Sequence, residues 1–210
     1  MITIAISRGR LLNQSVEILA RAGFSMPADL GRHLALSLPE QEVKFIFTKD
    51  FDTPLYVEYG AADLGICGKD VLLERKKIDT YEIADLGYGN CQITVAGPEK
   101  YRNFREFPSI KVATKYPNIT SDYFISQEIP FELIKLSGSV ELACLSGLAE
   151  VIVDIVNTGQ TLKENELTIL EIICSSSARL IVNRASYALK ITEIEESKGR
   201  LINASHRKEI

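Results

Sequence analysis

Short β-branched and apolar runs alternate with helix-like segments along the chain. The run 2–6 is typical of a strand, and the segment 11–22 carries apolar residues at helical spacing before Gly23. A longer run, 151–156, is apolar except for Asp154. Such runs are typical of strands that are buried on both faces of a parallel sheet. The alternation therefore predicts an α/β fold with mostly parallel sheets.

The same patterns predict the remaining elements. In one predicted helix, 139–146, Ser139 is the expected N-cap and Glu141 lies in the first turn, where a carboxylate is favourable. Further strands are expected at 43–47, 63–67, 91–96, 110–113, 131–136, 167–173 and 180–183, and further helices at 54–59, 69–74, 120–127 and 186–197.

A short internal similarity bears on domain organisation. The segment 60–66, GAADLGI, matches 147–153, GLAEVIV, position by position. Chance is one explanation, because helix–glycine–strand is a common unit; we favour the other, two similar α/β lobes. The first lobe is expected to comprise 1–90 and to be completed by 179–210, and the second to comprise 91–178. In such folds ligands are expected in a central cleft, near the carboxyl ends of strands.

Composition and charge exclude several classes of protein. The 210 residues are 46% apolar and 25% charged, which is ordinary for a globular protein that forms its core without disulfides. A net charge of −4 counts against a general nucleic-acid binder. No apolar stretch approaches the ~18 residues of a membrane helix, and no signal peptide is expected. The four cysteines are far apart and form no CxxC pair: Cys67, Cys91, Cys144 and Cys174. We therefore expect most of them to be buried thiols, and we expect a cytoplasmic location.

The segment 150–164 is the most informative part of the sequence. An apolar strand runs into the loop 158–161, and Thr161 and Glu164 have the spacing of a capping box, which predicts the start of a helix. Unpaired N–H groups at a helix start bind anions such as phosphate. Asp154, in the strand, needs partners such as sugar hydroxyls or a cation. The same pattern also fits a plain strand–turn–helix corner with a capping threonine.

A family resemblance is carried by these residues. The segment 154–161, DIVNTGQT, resembles the loop with which phosphoribosyltransferases bind 5-phosphoribosyl-1-pyrophosphate (PRPP). Nearly the whole chain is similar to the short form of ATP phosphoribosyltransferase. The matching segments, in the order of that family, are RGRL (8–11), YVEYGAADLGI (56–66), GKDVL (68–72), ATKYPN (113–118), KLSGSVELA (135–143) and VDIVNTGQTL (153–162).

The resemblance implies a fold like that of periplasmic binding proteins and a defined reaction. ATP and PRPP, with Mg²⁺, give N1-(5-phosphoribosyl)-ATP and pyrophosphate in the first step of histidine biosynthesis. It also implies a regulatory partner subunit that is related to histidyl-tRNA synthetase, in a hetero-octamer. Neither nucleic acid nor a membrane is implied as a partner.

The resemblance also implies roles for individual residues. Magnesium is expected on the pyrophosphate rather than on a set of protein ligands. Lys49 stands where the family often has arginine. Plainer explanations stay open: a helix-dipole acid for Glu141, solvated charge for Arg32 and Lys49, and turn packing for Tyr116. The implied PRPP-binding residues are Ser139, Asp154, Thr158, Gly159, Gln160 and Thr161, the ATP-binding residues are Arg10, Asp70, Tyr88 and Tyr116, and the catalytic residues are Arg8, Arg32, Lys49 and Glu141.

The chemistry of the implied reaction is consistent with a chain that has only two histidines. Adenine N1 carries a free lone pair at neutral pH, so no general base is needed, and catalysis is expected from holding two anions together. Two other functions compete with the transferase: a non-catalytic, two-lobed small-molecule-binding protein, and a regulatory scaffold descended from the enzyme. The intact loop 154–161 counts against both.

Overall fold

The chain folds into two compact units. The structure is a computed structural model that describes residues 1–27 and 30–206. The first unit comprises Met1–Asn90 and Ser177–Ile210, and the second comprises Cys91–Ser176. The predicted boundary placed Ala178 in the second lobe, whereas Ala178 pairs with Gly68 in the sheet of the first unit.

The elements alternate along the chain as the hydrophobic pattern indicates. The strands are β1 (Ile2–Ser7), β2 (Ala35–Leu38), β3 (Val43–Thr48), β4 (Leu64–Gly68), β5 (Thr80–Asp85), β6 (Cys91–Gly97), β7 (Ile110–Thr114), β8 (Phe131–Lys135), β9 (Val151–Val156), β10 (Thr168–Ser176) and β11 (Ala178–Asn183). The helices are α1 (Leu12–Arg21), α2 (Thr53–Glu58), α3 (Lys69–Arg75), α4 (Pro117–Ser126), α5 (Leu142–Leu145), α6 (Gln160–Glu164), α7 (Arg184–Leu189) and α8 (Ile191–His206).

The sheet of the first unit is buried on both faces. Its strand order is β2-β3-β1-β4-β11-β5. On one face, Ile4 and Phe45 pack in a core with Leu19 of α1 and Leu201 of α8. On the other face, Ala5 packs in a smaller core that α2 helps to close. This two-sided burial explains why the central strands are apolar throughout rather than alternating.

The sheet of the second unit has the order β10-β6-β9-β7-β8. The strands β8, β7 and β9 are parallel, as are β3, β1 and β4 in the first unit. The strands β6 and β11 pair antiparallel with their neighbours, so both sheets are mixed rather than mostly parallel. The prediction missed this because β6 and β11 are buried along almost their whole length, and burial does not report strand direction.

The internal similarity at 60–66 has a structural basis in the first unit. Gly60 turns the chain after α2 with a φ of 72°, a conformation that favours glycine. Asp63 then precedes β4, and its Oδ2 accepts a hydrogen bond from the N–H of Thr3 at 2.8 Å. The carboxylate thereby marks the point at which β4 begins to pair with its parallel neighbour β1.

The matching segment in the second unit has the same geometry. Gly147 follows α5 with a φ of 74°. Glu150 precedes β9, and its Oε2 accepts the N–H of Lys111, at the start of the parallel neighbour β7. The two segments are therefore equivalent corners, each with a glycine turn and an acid that caps the adjacent parallel strand.

The parallel strands position the polar segments of the chain. Their carboxyl ends meet at one edge of each sheet, and ligand sites of α/β proteins lie beyond such edges. In the first unit the segments that follow β1 and β3 begin at Arg8 and Lys49. In the second unit Lys115 follows β7, and the loop 157–159, which leads into α6, follows β9.

Candidate functional site

A pocket of about 190 Å³ lies in the second unit, beside the carboxyl end of β9. Its floor is formed by side chains of β6 and β9, and its rim by Glu141 and the loop that leads into α6. The lining residues are Thr94, Ala96, Glu141, Ile152, Asp154, Ile155, Val156, Asn157, Thr158, Gly159, Gln160, Thr161 and Leu162. The pocket therefore gathers most of the residues that the sequence predicts for PRPP binding.

Asp154 is the charged group on the floor of this pocket. Its side chain is 16% exposed, and Lys115 Nζ lies 3.7 Å from Oδ1. Oδ1 also accepts the N–H of Ile155 at 2.7 Å. Burial raises the pKa of Asp154, and the negative charge of Glu141 raises it further. The charge of Lys115 and the N–H of Ile155 lower it, but the pKa of Asp154 is raised overall. A poorly solvated carboxylate of this kind gains by accepting hydrogen bonds from the hydroxyls of a bound ligand.

The loop after β9 is shaped by Gly159. This residue has a φ of 74° and is the N-cap of α6. The predicted capping box does not form, because the helix begins at Gln160, so that Thr161 lies inside it. Glu164 instead accepts a hydrogen bond from the side-chain amide of Gln160 at 2.8 Å. Thr158 and Thr161 are exposed, which leaves hydroxyl and backbone donors near the pocket.

The loop before α5 differs from its prediction. The helix spans only Leu142–Leu145, and Glu141 rather than Ser139 is its N-cap residue. Ser139 has a φ of 48° and takes part in a turn, where its carbonyl accepts the N–H of Leu142 at 3.2 Å. The turn 139–142 thus takes the place of the first helical turn that was predicted after Ser139. Glu141 lines the pocket, whereas Ser139 is exposed outside its lining.

In the first unit, the predicted ATP-binding residues Arg10 and Asp70 are in contact. Asp70 is 3% exposed, and its Oδ1 lies 3.3 Å from Arg10 Nη2. Arg10 also donates a hydrogen bond to the carbonyl of Gly89. The side chain of Arg10 is 24% exposed. Asp70 and the Gly89 carbonyl therefore fix the guanidinium, while part of it still faces solvent.

The three predicted catalytic cations of the first unit lie close together. Arg8 donates a side-chain hydrogen bond to the carbonyl of Gly31, which adjoins Arg32. Its backbone N–H donates to the carbonyl of Thr48 at 2.8 Å, and Lys49 follows Thr48. Arg32 and Lys49 are exposed, and Arg8 is half-buried. These three neighbouring cations are suited to binding a phosphorylated anion.

Sequence reasoning missed Asp50, which organises the same region. Its Oδ1 accepts hydrogen bonds from the hydroxyl of Ser7 and, at 2.9 Å, from the N–H of Gly9. A Cβ atom at Gly9 would lie 2.1 Å from Asp50 Oδ2, so a side chain at this position would displace the Asp50 carboxylate from these hydrogen bonds. The available signal was an acid three residues after the predicted strand 43–47.

Lys115 was also missed, although it is the cation nearest the Asp154 carboxylate among the ion pairs of the described residues. It follows β7 directly, and β7 pairs in parallel with β9. The signal was present in the sequence as a lysine immediately beyond a strand, within the segment 113–118 that carries the family resemblance.

The two predicted ATP-binding tyrosines are core residues. Tyr88 is 8% exposed, and its hydroxyl lies 2.7 Å from that of Ser15, while burial raises its pKa to about 12. Tyr116 is 1% exposed. In this structure neither ring presents an open face to a base, and for Tyr116 the burial fits the plainer explanation of turn packing. The reason is that aromatic rings bury a large apolar area wherever neighbouring side chains allow it.

Two features are absent from the described part of the chain. In residues 1–27 and 30–206, no group of three or more His, Cys, Asp and Glu side chains is arranged to hold a metal ion. Within the same residues, none of the helices combines the length and apolar character that crossing a membrane requires.

The fold and the pocket together define a class of protein. The fold is similar to that of a substrate binding protein of an amino acid ABC transporter (TM-score 0.59, 16% identity, 97% of this chain and 96% of that chain). The pocket places the Asp154 carboxylate beside hydroxyl and backbone groups of the loop that follows β9. The class is thus a two-unit α/β protein with the fold of substrate binding proteins and a polar pocket beside the end of a parallel strand.

Comparison with known proteins identifies the particular family. The sequence model of HisG, ATP phosphoribosyltransferase, matches residues 49–203. The chain is 45% identical over 204 residues to ATP phosphoribosyltransferase of Halalkalibacterium halodurans (96% of this chain, 95% of the relative). It is 48% identical over 203 residues to that of Geobacillus kaustophilus (96% and 97%).

A solved structure agrees with the sequence matches. The ATP phosphoribosyl transferase (HisG:HisZ) complex from Thermotoga maritima contains a chain with a TM-score of 0.84 and 32% identity, covering 99% of this chain and all of that one (100%). The chain belongs to the ATP phosphoribosyltransferase family, whose reaction is the first step of histidine biosynthesis.

Proposed function

We propose that this chain transfers the 5-phosphoribosyl group of PRPP to N1 of ATP. The bond between ribose C1 and the pyrophosphate oxygen breaks, pyrophosphate leaves with the electron pair, and the N1 lone pair forms the new bond to C1. The pocket around Asp154 is the observation that carries this proposal, because it combines a poorly solvated carboxylate with a loop of hydroxyl and N–H donors. Family membership supports the same reaction.

Asp154 is assigned to the ribose hydroxyls. Lys115, at 3.7 Å, favours the charged form of the carboxylate in a place where burial disfavours it. A charged acceptor forms stronger hydrogen bonds than a neutral one, about 1.5–3 kcal/mol each. Two ribose hydroxyls bound in this way would orient C1 for attack.

The loop 158–161 is assigned to the 5-phosphate of PRPP. The left-handed Gly159 exposes backbone N–H groups, and Thr158 and Thr161 add hydroxyl donors. Because α6 has only five residues, its dipole is small, and individual donors rather than the helix as a whole account for anion binding. Gln160 is assigned to the phosphate through its N–H, which donates to Thr158 Oγ1 at 3.4 Å in this structure and would turn to the phosphate, since its side chain is engaged with Glu164.

Glu141 is assigned to the reacting centre. It lines the pocket with Asp154, close enough for its charge to raise the pKa of Asp154. Ribose C1 gains positive charge as pyrophosphate departs, and an adjacent carboxylate stabilises that charge. Ser139 lies outside the pocket lining, and its assignment to PRPP rests on its place in the turn that leads to Glu141.

The cations of the first unit are assigned to the phosphate groups of the substrates. Arg8, Arg32 and Lys49 together form a site for a polyphosphate anion. Arg10 is assigned to ATP, and Asp70 is the buried carboxylate that holds the Arg10 guanidinium in place. Tyr88 and Tyr116 have no role in binding ATP in this proposal, because both rings are buried.

The residues of the pocket fit a Mg²⁺ ion that is bound chiefly by substrate. The pocket lining contains two carboxylates, Asp154 and Glu141. Mg²⁺ usually takes one or two carboxylates and completes its coordination with phosphate oxygens and water. When bound, the ion supplies positive charge to the departing pyrophosphate. The two carboxylates orient the ribose and face the reacting carbon.

We also propose that the chain acts in the cytoplasm with a regulatory partner subunit. The Thermotoga maritima relative was solved as a HisG:HisZ complex, and the similarity extends over 99% of this chain. The expected partner is related to histidyl-tRNA synthetase, in a hetero-octamer.

Product identification tests the proposed reaction. The purified chain, with and without the regulatory subunit, is incubated with ATP, PRPP and Mg²⁺, and each substrate is omitted in turn. We expect N1-(5-phosphoribosyl)-ATP, identified by mass and by a bond at adenine N1, in a one-to-one ratio with pyrophosphate. Binding of PRPP without any product, with the partner present, would instead support the non-catalytic binding protein.

A further inference from the structure

The hydroxyl of Thr94 has no hydrogen-bond partner among the described residues. Thr94 lies in β6, is fully buried at 0% exposure, and lines the pocket that contains Asp154. Buried hydroxyl groups are nearly always paired, because an unpaired one is destabilising. An orphaned hydroxyl at a ligand pocket therefore points to a partner that is recruited when the pocket is occupied.

The register of the sheet identifies that partner. Thr94 and Asp154 are directly opposite each other in the antiparallel pair β6–β9. Side chains of opposite residues lie on the same face of the sheet, with Cβ atoms about 4.5–5.5 Å apart. The carboxylate of Asp154 has two oxygens, and only Oδ1 accepts the N–H of Ile155. A rotation of either side chain brings a carboxylate oxygen within reach of the Thr94 hydroxyl.

We propose that Thr94 is a positioning residue for Asp154, donating its hydroxyl hydrogen to the Asp154 carboxylate when PRPP occupies the pocket. The inference rests on the proposed function, since it concerns the same ribose subsite. Thr94 acts through Asp154 rather than on the substrate, because its hydroxyl oxygen is enclosed while Asp154 is partly open to the pocket. The bond would hold the carboxylate in the orientation that accepts the ribose hydroxyls.

A second threonine of the same sheet shows what a purely structural hydroxyl looks like. Thr114, at the end of β7, is equally buried. Its Oγ1 donates to the carbonyl of Val153 at 2.7 Å and accepts the N–H of Tyr116 at 2.8 Å. Thr114 is satisfied without a ligand, whereas Thr94 is not. The contrast provides a matched control.

The charges that face Asp154 determine how Thr94 would affect its titration. Lys115, beyond β7, lies 3.7 Å away, and Glu141, before α5, lines the same pocket. The other pocket-lining residues, on β6, β9 and the loop to α6, carry no charge. A donor to the charged carboxylate lowers its pKa. Removal of the Thr94 hydroxyl therefore moves the acid limb of PRPP-dependent activity to higher pH.

The test compares Thr94→Val with Thr94→Ser and Thr114→Val. For Thr94→Val we expect a higher Tm without ligand, because an unpaired polar group is removed, together with a three- to tenfold higher KM for PRPP, the effect of about one hydrogen bond. The KM for ATP stays the same, and the acid limb moves to higher pH. Thr94→Ser keeps the wild-type KM and acid limb, and Thr114→Val lowers the Tm.

Two results would overturn the inference. One is a Thr94→Val enzyme with the wild-type KM for PRPP and the wild-type acid limb. The other is a Thr94→Ser enzyme that shares the defects of Thr94→Val, which would indicate packing alone. Calorimetric binding of PRPP keeps the tests separate: if wild type binds PRPP but forms no product, the proposed function fails, and a three- to tenfold weaker Kd for Thr94→Val still supports Thr94.

Discussion

At the scale of single residues, the proposed chemistry depends most on the side chain of Asp154. It is the one polar residue in an otherwise apolar strand, and in the structure it forms the charged floor of a pocket. Burial opposes its charge, and Lys115 supports it. The protein thus maintains a carboxylate that is unfavourable for folding, which is typical of residues retained for function.

Replacing Asp154 by asparagine tests that interpretation. Asp154→Asn is expected to reduce kcat/KM for PRPP at least about 100-fold, because two hydrogen bonds to a charged acceptor are weakened. The Tm is expected to rise, since a poorly solvated charge is removed. Steady-state kinetics and thermal unfolding measure the two effects. Glu132→Gln, at an exposed carboxylate of β8, is the control and should change neither; an active Asp154→Asn enzyme would refute the assigned role.

The raised pKa of Asp154 also predicts a pH dependence. Activity requires the ionised form, so kcat/KM for PRPP falls on acidification with a midpoint above the ordinary aspartate value of 3.8. Between 3.8 and the raised pKa, the native state binds more protons than the unfolded chain. The contribution of Asp154 to the free energy of unfolding therefore decreases as pH rises through that window. A pH–rate profile with an acid midpoint at or below 3.8 would contradict this environment.

Contacts between residues were less predictable than the residues themselves. Asp154, Glu141 and the cations stand out in the sequence by type and position. Their partners do not, because Lys115 and Thr94 reach Asp154 only through the pairing of β9 with β7 and β6. The burial of Tyr88 and Tyr116 was not predictable for a related reason, since burial of a ring depends on tertiary packing.

At the scale of elements, the turn between β9 and α6 controls the proposed phosphate subsite. Gly159 adopts a φ of 74°, and a Cβ there would meet only Val156 Cγ1, at 3.8 Å, an ordinary contact. A side chain at this position would therefore destabilise the protein through strain in the left-handed backbone rather than through a clash. Relief of that strain would shift the N–H donors that face the pocket.

Gly159→Ala is expected to destabilise the protein by about 1–2 kcal/mol and to raise the KM for PRPP more than the KM for ATP. The first effect comes from the left-handed backbone, and the second from displaced N–H donors. Denaturant unfolding and kinetics measure them. Gly199→Ala in α8, where a Cβ has open space and no left-handed φ, should instead stabilise by about 0.5–1 kcal/mol. A larger effect of Gly159→Ala on ATP than on PRPP would move the loop to the nucleotide.

The two edge strands of the first sheet, β2 and β5, were not predicted from the sequence. Most of their residues are exposed or half-buried, and neither strand is a continuous apolar run. The edge strands of the second sheet, β8 and β10, were predicted as 131–136 and 167–173. Core strands were predicted because burial on both faces makes them continuously apolar. The predicted helix 186–197 is divided at Lys190 into α7 and α8. The sequence did not indicate this interruption, because no glycine or proline stands there.

At the scale of the whole molecule, the same corner occurs in both units. In each, an acid at the start of a central strand accepts the N–H of its parallel neighbour. In the first unit this acid, Asp63, also binds the C-terminal part of the chain, because its Oδ1 accepts hydrogen bonds from Ser186 at 2.7 Å and from Lys190 at 2.8 Å.

Asp63→Asn is expected to destabilise the protein by about 1.5–3 kcal/mol, because charge-assisted hydrogen bonds of a buried group are lost. Burial raises the pKa of Asp63, but the Lys190 bond and the Thr3 and Ser186 donors outweigh it and lower the pKa. Its stabilisation is therefore complete above the unfolded value of 3.8 and is lost as pH falls through the lower native pKa.

Unfolding of Asp63→Asn at several pH values measures both effects. Asp79→Asn is the matched control, since the ion pair of Asp79 with Arg184 is exposed at both partners. That substitution should change the free energy of unfolding by less than about 1 kcal/mol. Equal effects of the two substitutions would contradict the role given to the buried corner.

Dependence of pyrophosphate release on both substrates is the most direct test of the central claim. The chain is assayed with its regulatory subunit and Mg²⁺, with ATP alone, PRPP alone and both together, and the series is repeated with Asp154→Asn. The account predicts release only when both substrates are present, and at least about 100-fold less with Asp154→Asn. Release without ATP, or undiminished release from Asp154→Asn, would contradict it.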